Sequence, residues 1–197
     1  MSKPHYFDPL AGLVEKARRG DTFAARALVK AVTPSIWNLS WRLLHDAAEA
    51  EDVTQETLIR LWKILPSWKP GQARIQTWLH LVTTNLCFDR LRKSRRFVYG
   101  ETLPEQSDPS PLPDAGLLQE VMQSRVDRAL GGLPHRQRAA IILTHYDALP
   151  AREVGVILGI SVEAVESLLA RARRALRLAL KDDKQEFFQP SVGGTAA

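Results

Sequence analysis

The residues whose chemistry is easiest to interpret lie on one side of residues 161–180. At 100° per residue, apolar side chains collect on one face of this stretch and polar ones on the opposite face. The polar face and its flanks carry Glu163, Ser167, Arg171, Arg173, Arg174 and Arg177. Arginines contact DNA phosphates and guanine edges, and short polar side chains can approach bases. The pattern therefore predicts a helix that lies in the major groove of DNA.

A shorter helix is predicted just before this one. Pro150 suits the first position of a helix, and Gly159 can end it in the left-handed conformation. Ser161 can then cap the second helix. Helix, glycine-containing turn and helix form the helix-turn-helix pattern. The alternative is an ordinary amphipathic helix pair with a solvated basic face; turn, cap and one-sided arginines together favour DNA binding.

A second candidate surface is predicted on a helix over 46–65. Its buried face is expected to hold Thr57, Leu58, Leu61, Ile64 and Leu65. The opposite face holds Asp52, Gln55, Glu56, Ile59 and Lys63. An isoleucine is unusual on a solvated face, so this side is a candidate contact with a partner protein, although spacing alone leaves a solvated face open.

A third candidate surface belongs to a long helix predicted over 77–96. Thr83, Thr84 and Asn85 are poor helix formers in its middle, which suggests a task other than helix stability. Its C-terminal end carries the basic residues Arg90, Arg92, Lys93, Arg95 and Arg96. Such a cluster suits phosphates. A solvated helix end that complements the helix dipole is the alternative.

The elements that position these surfaces are all predicted to be helices. A short helix is expected from Asp8 to Gly20, and a second is expected to begin at Asp21 and to break at Thr33-Pro34. A further helix resumes over 36–44. The predicted core of this part comprises Phe23, Ala24, Ala27, Leu28, Ala31, Trp37 and Trp41.

The chain is predicted to divide at an acidic, proline-rich segment. Residues 100–116 hold four prolines, four acidic residues and no basic residue, which is typical of a flexible linker. The predicted fold class is all-α: two small helical domains over 8–98 and 117–183, a linker over 99–116, and a disordered tail over 184–197. The second domain ends in the helix-turn-helix.

Composition limits the classes of function. The net charge of +5, from 27 basic and 22 acidic residues, permits nucleic-acid binding without requiring it. The single cysteine argues against disulfides and thiolate metal clusters, and no apolar run is long enough for a membrane span. Neither GxxxxGK[ST] nor HExxH occurs, and the five histidines lack ligand spacing. We therefore expect an intracellular protein that is not an enzyme, with no catalytic residues, metal, cofactor or small-molecule substrate.

Three stretches together resemble the extracytoplasmic-function (ECF) group of bacterial RNA polymerase sigma factors. They are "DAAEAEDVTQETLIRLW", "TWLHLVTTNLCFDRLRKSRR" and "LPHRQRAAIILTHYDALPAREVGVILGISVEAVESLLARARRALR". The resemblance covers about residues 20–180. It implies a cytoplasmic protein whose partners are core RNA polymerase, double-stranded promoter DNA, the melted non-template strand and an anti-sigma factor.

The resemblance also implies roles for the three surfaces. Asp52, Gln55, Glu56 and Ile59 match the face that binds the clamp helices of the polymerase. Trp68 and Asn85 match the pocket for a base flipped from the downstream (minus ten) promoter box. Lys69, Arg92, Lys93, Arg95 and Arg96 would accompany them on the DNA. Arg171 and Arg174, with their neighbours on the polar face, would read the upstream (minus thirty-five) box. A linker reach of roughly 50 Å matches about fifteen base pairs.

Two departures and two rival interpretations accompany this resemblance. Pro150 is unusual for the family at its position, and Glu163 and Glu166 add negative charge where phosphates approach. A stand-alone helix-turn-helix regulator would leave residues 46–96 unexplained. A sigma mimic that only sequesters an anti-sigma factor would not need Asn85, Arg171 or Arg174.

Overall fold

The computed structural model describes residues 8–69, 74–98 and 125–187, with side chains over 8–69, 74–94 and 125–181. Within these ranges the chain is helical with short turns and no strand, which confirms the all-α fold class. The helices are α1 (Ala11–Arg18), α2 (Thr22–Leu44), α3 (Ala47–Ile64), α4 (Ile75–Val98), α5 (125–131), α6 (His135–Ile141), α7 (Ala151–Leu158) and α8 (Val162–Phe187). A 3-10 turn, Leu65–Ser67, follows α3, and a π turn, Ile142–Tyr146, follows α6. The predicted linker over 99–116 lies outside the described residues, as do residues 117–124 of the predicted second domain.

Several predicted helix ends are confirmed by their capping contacts. The Asp21 carboxylate accepts hydrogen bonds from the backbone N–H groups of Phe23 and Ala24 at 2.9 and 3.0 Å. Asp46 caps α3 in the same way. Gly159 ends α7 with a φ of +63°, and the Ser161 hydroxyl accepts from Ala164 N–H at 3.3 Å at the start of α8. These contacts satisfy backbone groups that a helix end leaves without partners.

The break predicted at Thr33-Pro34 is wrong, because α2 runs through it as one helix. A proline inside a helix costs about 3 kcal/mol, since it removes one backbone hydrogen bond. One buried stripe, however, continues on both sides of Pro34. It consists of Ala24, Leu28, Val32, Ile36, Leu39 and Leu43. Burying each large member contributes about 1.5–3 kcal/mol, so packing outweighs the cost of the proline.

Three other details differ from the sequence predictions. Phe23 is 81% exposed, and Ala27 and Ala31 are exposed too, because α2 presents a different stripe to the core. Thr83 and Thr84 are fully buried, and Thr83 donates a hydrogen bond to the Leu79 carbonyl, so Thr83 has a structural contact inside the helix bundle. Helix α8 continues to Phe187, so residues 184–187 do not belong to a disordered tail. The remaining residues, 188–197, lie outside the description.

The buried apolar side chains of the described ranges form two hydrophobic clusters. The smaller one fills the space between α1, the first half of α2, the end of α3 and the start of α4. The larger one joins both predicted domains: Leu39, Leu43, Val53, Leu86 and Cys87 pack with buried residues of α5 to α8. The two domains are therefore in contact through a shared apolar core, with α4 against α7 as the main pair of helices.

Arg138 of α6 reinforces this contact with hydrogen bonds to backbone carbonyls. Its buried guanidinium donates to the Leu43 carbonyl at 2.7 Å, and to the carbonyls of Gly131 and Leu133. Burial lowers the pKa of Arg138. The accepting carbonyls lie at or just after the ends of α2 and α5, where the helix dipole is negative, so they stabilise the buried cation.

His45 lies beside Arg138, where it makes folding sensitive to acid. The residue ends α2 with a φ of +54°, and burial, followed by the charge of Arg138, lowers the pKa of its imidazole from 6.5 to about 4. The unfolded chain takes up this proton near pH 6.5, whereas the folded chain takes it up only near pH 4. We therefore expect the free energy of unfolding to fall as the pH is lowered from 6.5 to 4, by about 2 kcal/mol from this residue after allowance for solvent screening.

Urea unfolding at several pH values measures this effect. Asparagine tolerates a positive φ and does not titrate, so His45→Asn is expected to make the decline shallower. The exposed His145, replaced by asparagine in parallel, controls for the loss of a surface imidazole. An equally steep decline in His45→Asn and in the unaltered chain would contradict the assignment.

Candidate nucleic-acid and protein interfaces

The outer side of α3 forms a surface of mixed character, which we call the partner face. Asp52 and Gln55 are exposed on it, and Ile59 is 51% exposed. Trp62, which the sequence interpretation did not include, is 44% exposed. It follows Ile59 by three positions and so lies beside it on the helix, a spacing that the sequence already contains. A large aromatic and an aliphatic residue among exposed polar groups are typical of a protein-binding surface.

Three other residues of these predicted surfaces form ion pairs: Glu56, Arg90 and Arg92. Glu56 pairs with Arg60 at 2.6 Å, one helical turn away. Arg90 of the basic cluster pairs with Glu49 at 2.5 Å, which ties α4 to α3. Arg92 pairs with Asp89, and Lys93 is exposed. The side chains of Arg95 and Arg96 lie outside the described residues. Arg90 therefore has a structural contact, whereas Arg92 and Lys93 stay available at the surface.

Trp68, Trp78 and Asn85 form a second surface, which we call the downstream site. Trp68 meets Trp78 edge to face, with ring centroids 6.0 Å apart, and both rings are partly buried. Asn85 is exposed on α4, seven residues after Trp78. Seven residues are close to two helical turns, so Asn85 lies on the same side of α4, about 10 Å along the axis. Lys69 is exposed next to Trp68, and residues 70–73 lie outside the description.

The third surface, the reading face, is the exposed side of α8. All six predicted residues are exposed there: Glu163, Ser167, Arg171, Arg173, Arg174 and Arg177. Arg171 and Ser167 also line a groove of about 210 Å³ between α6 and α8. Arg136 borders the same groove and donates to the Leu158 carbonyl at 2.7 Å. A hydrogen bond from Ser161 lowers the pKa of Glu163, so a fixed negative charge stands at the start of the reading face.

Replacing Arg171 or Arg174 by alanine is expected to weaken binding to the upstream box. If the arginine is bidentate to guanine, the loss is about 1–3 kcal/mol and depends on the sequence of the box. If it contacts a phosphate, the loss is uniform across sequences and the salt dependence becomes shallower. Holoenzyme binding to matched and mutated promoters at two salt concentrations measures both quantities. Unchanged binding under all four conditions would remove Arg171 and Arg174 from the reading face.

A set of contacts between the domains was not predicted. Glu153 of α7 accepts from Arg74 Nη1 at 3.1 Å and from Thr77 Oγ1 at 2.7 Å. His80 Nε2 lies 3.5 Å from Asp147 Oδ2 of the second domain, and 3.1 Å from Ser35 Oγ of its own domain. Burial lowers the pKa of His80 to about 4 and raises that of Asp147 to about 6. The Arg42 guanidinium lies 4.2 Å from the centre of the Tyr146 ring.

These contacts join residues that are far apart in the chain, so no local spacing could have indicated them. The described residues hold no group of His, Cys, Asp and Glu that could bind a metal ion. Over the same ranges, no helix has the length and apolar character needed to cross a membrane.

Comparison with known proteins finds matches to two separate regions of the chain. The family model Sigma-70 region 2 matches residues 28–97, and Sigma-70, region 4 matches residues 123–176. The ECF RNA polymerase sigma factor SigE of Mycolicibacterium smegmatis is 36% identical over 154 residues, which are 76% of this chain and 59% of SigE. SigW of Bacillus subtilis is 31% identical over 180 residues, which are 86% of this chain and 95% of SigW.

A solved structure resembles the arrangement of the domains as well as their folds. It is the sigma factor RpoE of Bartonella quintana in complex with the anti-sigma factor NepR, with a TM-score of 0.68 and 25% identity over 79% of this chain and 96% of RpoE. Neither domain alone could give that score, because neither holds half of the chain. The closed packing of the two domains is thus similar to that of RpoE bound to NepR. From the matched regions, the identities and the fold, this chain belongs to the ECF RNA polymerase sigma factors.

Proposed function

We propose that this chain binds core RNA polymerase and directs it to promoters that carry a downstream and an upstream box. The observation that supports this proposal is the presence of three exposed surfaces of different chemistry on one chain. The partner face suits a protein, the reading face suits duplex DNA, and the downstream site suits an unstacked base. A stand-alone helix-turn-helix regulator would need only the reading face.

The downstream site has the groups that capture of a flipped base requires. Extruding a base costs a few kcal/mol, and a pocket offsets that cost by hydrogen bonds and by stacking or apolar contacts. Asn85 presents an amide that can donate and accept at the surface. Trp68, whose ring packs against Trp78, supplies aromatic surface about two helical turns away from it. Arg92, Lys93 and Lys69 add positive charge for the backbone of the strand.

The proposed role is not enzymatic. The polymerase forms the phosphodiester bonds, and this chain positions the polymerase on promoter DNA, without a cofactor of its own. Such a protein works in the cytoplasm, where the polymerase and the DNA are. An anti-sigma factor is the expected regulator, by analogy with the RpoE–NepR complex.

Run-off transcription tests the proposal directly. Core polymerase is incubated with a library of genomic fragments, with and without this chain, and the transcripts are mapped. We expect defined start sites that appear only when the chain is present, with two shared sequence boxes upstream. A chain that binds an anti-sigma factor but gives no transcript from any fragment would be a sequestering mimic, and the proposal would be wrong.

A further inference from the structure

The contact between Glu153 and the first domain uses both oxygens of one carboxylate. Arg74 Nη1 donates to Oε1 at 3.1 Å, and Thr77 Oγ1 donates to Oε2 at 2.7 Å. The side chains of Arg74 and Glu153 are only 24% and 17% exposed, so solvent screens the ion pair less than it would at an open surface. The contact joins the helix-turn-helix to the first domain.

Arg74 and Thr77 occupy a specific place, beside the downstream site. Arg74 directly precedes α4, and Thr77 lies in its first turn, next to Trp78. Trp68, on the other side of residues 70–73, packs against Trp78. An arginine in that position would be a phosphate ligand for a strand held at the downstream site, because guanidinium binds carboxylate and phosphate in the same planar geometry. Glu153 therefore binds the guanidinium of Arg74, which a phosphate of the nucleic acid would otherwise contact.

The other contacts between the domains show why Arg74 can lose its contact with Glu153 when the two domains move apart. Glu153 lies on α7, which packs against α4, and Arg138 and the shared core fix the second domain to the end of α2. The sequence predicts that residues 99–116 form a flexible linker with a reach of roughly 50 Å, and such a linker would allow the domains to separate so that each contacts its own box. The closed arrangement and the arrangement on a promoter are therefore different states of the chain.

We propose that Glu153 competes with nucleic acid for Arg74, so that the free protein holds its downstream site closed with its own second domain. Arg74 is, on this proposal, a further DNA-binding residue that becomes available when the domains separate. The inference rests on the proposed function, since it assumes that the downstream site receives a single strand. It adds a self-inhibited state that needs no other protein.

Binding of single-stranded DNA by the full-length chain tests this proposal. The probe is a fluorescein-labelled 20-nucleotide DNA of random sequence, followed by anisotropy at two salt concentrations. We expect Glu153→Gln, which keeps the shape of the side chain but removes its charge, to bind the probe about five- to tenfold more tightly than the unaltered chain. The gain should disappear when Arg74→Gln is combined with it, because the guanidinium that Glu153 holds in the unaltered chain is then missing.

Two further variants separate the contact from general charge effects. Glu15→Gln removes one carboxylate from α1, where it pairs with Arg18 and Arg19, and should leave the affinity unchanged. Glu153→Asp keeps the charge but shortens the side chain, so we expect an intermediate gain. Circular dichroism melting shows whether each variant is folded. If Glu153→Gln and Glu153→Asp bind the probe no more tightly than Glu15→Gln, or if the gain survives in the Arg74→Gln background, the proposal is overturned.

The same variants in run-off transcription keep this test apart from that of the proposed function. A chain that supports transcription while Glu153→Gln leaves probe binding unchanged would remove the competition and leave the sigma activity standing. A chain that supports no transcription, but whose Glu153→Gln variant gains affinity through Arg74, would show the closed state without the proposed function.

Discussion

A chain that carries both Asp52→Ala and Gln55→Ala is expected to lose its binding to core RNA polymerase. Both side chains are exposed on the partner face, one helical turn apart, and they precede the exposed Ile59 and Trp62 along α3. Removing two polar anchors from the centre of a protein interface weakens binding on the order of a hundredfold or more. Co-purification with core polymerase, followed by a titration monitored by fluorescence, measures the loss.

The fold should not change in this variant, because neither residue is buried and exposed substitutions outside caps and networks usually shift stability by less than about 0.5 kcal/mol. A melting curve equal to that of the unaltered chain is therefore part of the expected result. Glu15→Ala, which removes a carboxylate from α1, should bind core normally and serves as the control. Recovery of the double variant with core at the unaltered yield would show that the partner face lies elsewhere.

Local features of the structure were largely predictable from the sequence. Caps at Asp21, Asp46 and Ser161, and the left-handed Gly159, follow from residue type and position alone. The reading face follows from helical periodicity, which assigned all of its residues to the exposed side of α8. Where local rules conflicted with tertiary packing, packing decided, as in the uninterrupted α2 at Pro34 and the buried Thr83 and Thr84.

The closed arrangement was beyond such reasoning. Glu153 bonds to Thr77 and Arg138 bonds to Leu43, partners that lie 76 and 95 positions apart in the chain. A proline-rich linker indicates that two domains can separate, and it carries no information on whether they also pack together. Glu153 looks like an ordinary acidic residue in the first turn of a helix, where it is favourable without any partner. Its contact became visible only in three dimensions.

Replacing Asn85 by alanine is expected to impair promoter opening without loss of stability. In the middle of a helix, asparagine is less favourable than alanine by up to roughly 0.7 kcal/mol. Since Asn85 is exposed, Asn85→Ala should leave the stability of the free protein unchanged or raise it slightly. If its amide bonds a flipped base, the cost of unstacking that base is no longer fully offset in the variant. Core binding should stay unchanged, because the partner face is on α3.

Permanganate reactivity of thymines at the downstream box, measured beside a melting curve, separates these outcomes. Asn38→Ala is the matched control, since Asn38 is also an exposed asparagine inside a long helix, and it should leave promoter opening intact. The defect of Asn85→Ala should shrink on a template already mismatched at the downstream box, because unstacking there costs less. Lower stability with normal opening would instead show that Asn85 supports the helix, and the assignment of a base-binding site at Trp68 and Asn85 would be wrong.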